Sequence, residues 1–223
     1  MTDQATITLD TSVGAIAEAL PGAAQVFRQA GIGFCCGGDE TLRDACAHQG
    51  ADPVATLDAL LHLQARAGAL PPEAADSPAL IDHILDRFHA THREELAWLI
   101  PMAQKVETVH GDHEEAPLGL TAALIALADD LESHMQKEEQ VLFPMIRGGG
   151  HPMIAHPIAA MRAEHAEADR LLGQVLQVTR NLDLPVGACR SWTALYTGLR
   201  KFADDLAAHM ALENDVLFAR YAA

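Results

Sequence analysis

Two ten-residue stretches, HMQKEEQVLF from His134 to Phe143 and HMALENDVLF from His209 to Phe218, carry His, Met, Glu, Val, Leu and Phe at the same six positions. Each sets an imidazole and a carboxylate four residues apart. A helix turns about 100° per residue, so such a pair shares one face, one turn apart. His134 with Glu138, and His209 with Glu213, can therefore each reach a single point in a core. The stretches lie 75 residues apart, so the pieces before them should also correspond. FHATHREEL (Phe88 to Leu96) aligns with EHAEADRLL (Glu164 to Leu172) at an offset of 76, matching His89 to His165 and placing a leucine seven residues after each. His92 has no such counterpart, and a solvated or core role is expected for it, as for His62 and His83.

Four imidazoles and two carboxylates thus converge with approximate two-fold symmetry. Buried together without partners, each would cost several kcal/mol. A pair of metal ions offsets that cost, and imidazole with carboxylates free to bridge suits iron or manganese best. The spacing is His-x-x-x-Glu, richer in histidine than the Glu-x-x-His pattern of carboxylate-dominated di-iron bundles. Met135 and Met210 follow the ligand histidines. They are expected to be core, because thioether is too soft for ferric iron. Phe143 and Phe218 are expected in the core as well.

The elements that must position these residues are helices. Alanine and leucine abound and no sustained alternating pattern appears, so the fold class is all-α. Four long segments, at about 78–109, 117–147, 152–181 and 186–221, are separated by HGDHEEAP, RGGGHP and NLDLP. Long amphipathic helices joined by short turns predict an antiparallel four-helix bundle over 78–223, with a kink at Pro101. Residues 1–70 read as a small helical domain, with Ser12 or Thr11 capping its first helix, Asp39 capping a later one and Asp52-Pro53 opening another. LPPEAADSP makes 71–77 a linker, and Ser77-Pro78 reads as cap and first turn of the bundle.

Charge narrows the function classes. Fifteen basic against thirty-one acidic residues give a net charge of −16, which disfavours nucleic acid and anionic membrane surfaces and favours a buried cation. No apolar run is long enough to span a bilayer and the N-terminus does not read as a signal peptide, so a cytoplasmic location is expected. Of the four cysteines, Cys46 is expected in the core and Cys189 buried in the last helix. Cys35 and Cys36 are adjacent, in FCCGG. A bond between neighbours is strained. Iron, glutathione or a partner thiol are candidates for them, as is plain packing of reduced thiols.

FCCGG together with HMQKEEQVLFPMI and HMALENDVLF resembles the repair-of-iron-centres family, iron–sulfur cluster repair proteins with a hemerythrin-like domain and an N-terminal Cys-Cys domain. The likeness spans nearly the whole chain. It implies a hemerythrin-like bundle with two non-haem iron ions, oxo- or hydroxo-bridged, held by His89, His134, Glu138, His165, His209 and Glu213, with Glu138 and Glu213 bridging. It implies repair of iron–sulfur clusters after nitrosative or oxidative stress, through iron donation or reduction of nitric oxide to nitrous oxide. The second of these would make the chain an enzyme. Damaged iron–sulfur proteins, nitric oxide and an electron donor would be its partners, with homodimerisation left open. It implies His110 and Glu164 as supporting residues around the ligands, and redox or iron-transfer roles for Cys35 and Cys36. LFARY, where family members often have LFPR, is a departure at the helix end. A hemerythrin-like protein that binds or senses oxygen or nitric oxide without turnover is the alternative.

Overall fold

The computed structural model describes residues 7–20, 23–32, 39–67 and 76–221. Among them there is no strand, only an isolated bridge between Ser12 and Thr41, so the all-α reading holds. Cα proximity divides the chain into two compact units, Met1–Ala69 with Leu184–Leu199, and Leu70–Asp183 with Arg200–Ala223.

The first unit contains α1 (Val13–Ala19), α2 (Ala23–Gln29), α3 (Leu42–Gln49) and α4 (Pro53–Ala67). The side chains of Ser12 and Thr41 cap α1 and α3 by accepting from the backbone N–H of Ala15 and Asp44, each satisfying one of the orphan donors of a first turn. Backbone bonds around that bridge, Val13 N–H to Glu40 and Leu42 N–H to Thr11, tie the two helix starts together. Asp39 is therefore not the cap of α3; it pairs with Arg190 at 2.7 Å. Asp52 does cap α4, accepting from Val54 and Ala55. Val13, Ile16, Phe27, Leu42, Cys46 and Leu60 are fully buried or nearly so. Cys189 is half-buried and lies just ahead of a helix, not within one. Cys35 and Cys36 lie outside the described residues.

The second unit is built on four long helical rods. The first comprises α5 (Ser77–Ile84), a π-helical turn at Leu85–His89, and α6 (Ala90–His110); the second comprises α7 (Leu120–Lys137), a π-helical turn at Glu138–Leu142, and α8 (Phe143–Arg147). The third is α9 (Ala155–Val178), and the fourth is α10 (Arg190–Ala211) followed by a π-helical turn at Leu212–Leu217 and a 3₁₀ turn at Phe218–Tyr221. Residues 190–199 of α10 group with the first unit and 200–211 with the second. The cap of α5 is Asp76, accepting from Ala79, one residue earlier than Ser77. Pro101 lies inside α6 and does not end it. Gly149 and Gly150, both near φ +90°, carry the chain from α8 towards α9, in a backbone region that residues with a Cβ rarely adopt. None of the described helices is long and apolar enough to cross a membrane.

One end of this unit is an apolar plug. Leu80, Ile81, Ile84, Phe88, Leu142, Phe143, Ile146, Ile158, Leu217 and Phe218 are buried there against one another. Deeper along the rods lies a buried polar network. Arg87 donates to both oxygens of Asp205 at 2.8 and 2.7 Å. Lys201 reaches Asp205 at 2.7 Å and Glu95 at 2.5 Å.

Burial pushes the Glu95 carboxyl up to about 7, against the opposing pull of Lys201 and with Asp205 adding to the rise. The folded state thus holds this proton more tightly than the unfolded chain, whose glutamate titrates near 4.5. The resulting stabilisation is complete below about 4.5 and is lost as pH rises through about 7. Asp205 acts in the opposite sense. Burial opposes its charge, but Arg87 and Lys201 hold it below the usual range, so its contribution is lost as pH falls. Glu95→Gln is expected to remove a decline of up to roughly 3 kcal/mol in unfolding free energy between pH 5 and 7.5. Urea titrations of the two proteins across that window test this; parallel curves would exclude Glu95 as the source.

Candidate metal centre

Between the plug and the polar network, the four rods bring His89, His134, Glu138, His165, His209 and Glu213 together. All six are buried, with Glu138, Glu213 and His89 entirely so. Two sets of ligand atoms form, each lying within 4.8 Å of one another: His89, Glu138, His209 and Glu213, and His134, Glu138, His165 and Glu213. Both carboxylates belong to both sets. Glu138 Oε2 is 3.3 Å from Nε2 of His89 and of His134. Glu213 reaches Nε2 of His165 and of His209 at 3.1 Å. His134 and His165 face each other Nε2 to Nε2 at 3.1 Å.

The local folding that produces this is a π-helical turn in three of the four rods. His89 ends one, Glu138 starts one, and Glu213 is the second residue of the third. π turns are rare and recur at functional sites. Three phenylalanines from the plug back the rings: Phe143 stacks on His89, Phe218 on His165 and Phe88 on His209, at 5.7, 6.0 and 5.0 Å between centroids.

The electrostatics of the cluster suit positive charge. Burial alone would lower the His134 pKa, but the Glu138 carboxylate reverses this and raises it to about 9; His89 is raised by the same glutamate. Glu213 is held well below the usual carboxylate range, since His209 and His165 outweigh its burial. Even so, both oxygens of Glu138, Oε2 of Glu213 and Nε2 of His89 are buried and make no hydrogen bond among the described residues. Buried polar atoms are normally satisfied. A group of them aimed at common points, in a set made only of imidazole and carboxylate, fits first-row transition metal ions. Loading would displace protons, so affinity would fall with pH.

A family profile described as the hemerythrin HHE cation-binding domain matches residues 80–221, and ScdA_N, a domain of unknown function, matches 9–64. The iron-sulfur cluster repair protein YtfE of Yersinia pseudotuberculosis (serotype O:1b, strain IP 31758) is 44% identical over 217 residues, covering 94% of this chain and 95% of that one. The protein of the same name from Salmonella typhimurium is 42% identical over 215 residues, covering 95% and 96%. The chain belongs to the iron–sulfur cluster repair family with a hemerythrin HHE domain.

In this family member, carboxylates and an amide hold the far nitrogens of three of the four histidines. Glu164, one of the two supporting residues expected, lies 3.2 Å from Nδ1 of His134 and accepts from Lys137 at 2.7 Å. His110, the other, does not reach the cluster. It is the last residue of α6, 21 residues beyond His89, which is about 30 Å along a helix axis. Two supports were missed. Glu139 lies 2.9 Å from Nδ1 of His89 and is steadied by Arg93 at 2.9 Å, and Asn214 Oδ1 lies 3.1 Å from Nδ1 of His165. Each directly follows a shared glutamate and occupies the same place in the repeat, which was the signal available. Of the unmatched histidines, His62 is exposed and His83 half-buried. His92 is buried against His209 and Phe202, with neither ring nitrogen hydrogen-bonded among the described residues. Met135 is buried as expected, whereas Met210 is only half-buried.

Proposed function

We propose that this chain is a non-haem di-iron protein that repairs iron–sulfur clusters damaged by nitrosative or oxidative stress. The observation that carries the reading is the sharing of Glu138 and Glu213 between two adjacent ligand sets, each completed by two histidines. In this reading His89 and His209 would hold one ion and His134 and His165 the other, with the two glutamates, present in both sets, serving both. Iron bound there would supply redox-active Lewis-acid centres. The chain's own part is to orient the imidazoles through Glu139, Glu164 and Asn214, and to keep bulk water out with the phenylalanine plug. Iron donation treats iron as cargo. Reduction of two nitric oxide molecules to nitrous oxide and water would consume two electrons and two protons, the electrons coming from a separate donor. The names of the relatives support repair, and Cys35 and Cys36 are proposed to pass iron or electrons between the bundle and the damaged protein.

The test is anaerobic. Iron-loaded protein is mixed with a nitric-oxide-damaged iron–sulfur dehydratase, and recovery of its activity, iron transfer and nitrous oxide are followed. Recovery several-fold above that given by free ferrous iron is expected, slowed in Cys35→Ser/Cys36→Ser at unchanged iron content. Reversible binding of nitric oxide or oxygen with neither recovery nor nitrous oxide would replace repair with the sensing alternative.

A further inference from the structure

The two halves of the centre are written by a repeat, yet their supports are unequal. His134 leans on Glu164, and Glu164 on Lys137. His165 leans on Asn214, and His89 on Glu139 with Arg93 behind it. His209 is different. Its Nδ1 is buried and has no hydrogen-bond partner among the described residues. The repeat shows why. The position equivalent to Glu164 in the other half is Phe88, whose ring lies flat against His209 with 11° between planes. His92, which also neighbours His209, has Ala168 as its counterpart and leaves both of its own ring nitrogens without a hydrogen bond among the described residues.

An acceptor on the far nitrogen fixes a ligand imidazole's tautomer and orientation and raises its basicity, and removing one commonly costs about 10–100-fold in metal affinity. The position made by His134 and His165 has two supported imidazoles. The position made by His89 and His209 has one. We infer that the two metal positions are unequal by design, and that the ion at His89 and His209 leaves first. This rests on the di-iron reading and deepens it by naming the position that gives up the transferable iron. The tightly held ion at His134 and His165 would remain, keeping the bridging carboxylates and the bundle in place for reloading.

The experiment is metal release from the fully loaded chain to an excess of a coloured ferrous chelator under anaerobic conditions. Two equal phases, one ion each, with rates about 10–100-fold apart are expected. Phe88→Gln, which places an amide at the position of Glu164, is expected to slow the fast phase and leave the slow one. Glu164→Ala, which removes the acceptor facing His134, is expected to speed the slow phase and leave the fast one. Anomalous diffraction from crystals of the half-depleted wild type is expected to find the remaining ion at His134 and His165, a readout that needs no variant to fold. Release in one phase, or the remaining ion at His89 and His209, would overturn the inference while leaving the di-iron reading intact. A fully loaded chain that never exceeds one ion would instead sink the di-iron reading itself.

Discussion

Glu138→Ala is expected to remove both metal ions, not one. Its carboxylate belongs to both ligand sets, with Oε2 at 3.3 Å from His89 and from His134. Removing it takes a negative charge from each position and leaves two buried imidazoles facing a void. Glu213→Ala should behave alike, since Glu213 reaches His165 and His209. A single histidine variant makes the control. His89→Ala breaks only one set and leaves His134, His165 and both carboxylates complete. Metal content should therefore fall from about two ions per chain towards none in the glutamate variants, and to about one in His89→Ala. Mass-spectrometric metal analysis with Mössbauer spectra of iron-grown protein decides the matter. Two coupled high-spin irons in the wild type, absent in Glu138→Ala, is the expected result. Retention of two ions in that variant would show that the glutamates do not bridge.

Asp205→Ala is expected to be the most destabilising change away from the metal ligands. Asp205 accepts two hydrogen bonds from Arg87 and lies 2.7 Å from Lys201, with little solvent to replace it. Its loss would strand the Arg87 guanidinium in the interior and leave Lys201 with Glu95 alone. Breaking a buried pair from one side costs about 3–5 kcal/mol, whereas replacing both partners with apolar groups of similar size is often neutral. The double variant Arg87→Met/Asp205→Leu should therefore be more stable than Asp205→Ala. Urea unfolding of metal-free proteins measures this without interference from loading. A cost below about 1 kcal/mol would mean that the network is reached by water and behaves as a surface pair.

The six clustered residues were legible because they recur. The repeat singled out His89 over His92 and paired positions 45 residues apart in one half with positions 44 apart in the other. Rods and turns were legible from apolar period and from Gly, Pro and Asp placement, to within a residue at the α5 cap. What was not legible has physical reasons. Arg87 and Asp205 are 118 residues apart, and no local period announces such a pair. Asp39 has the chemistry of a cap, but Thr41 is two residues nearer the helix and takes the role. His110 was placed by resemblance alone, and an α6 that continues past Pro101 carries it away. Glu139 and Asn214 were hidden for a different reason: on a regular α-helix, the residue after an inward-facing glutamate points about 100° aside.

The π-helical turns also bear on how this chain tolerates length change. Each behaves as one residue too many in an α-helix, and so advances everything beyond it by nearly a third of a revolution. In the second rod the turn lies between His134, which faces the cluster, and Ile146, which faces the plug. The same offset separates His209 from Phe218 in the fourth. Deleting one residue from 138–142 or from 212–217 would yield a tidier helix by every local measure. It would also turn the greasy end and the ligand end out of phase, so that one of them must look outward. The extra residue works as a vernier between two facing surfaces, so that both can be used at once.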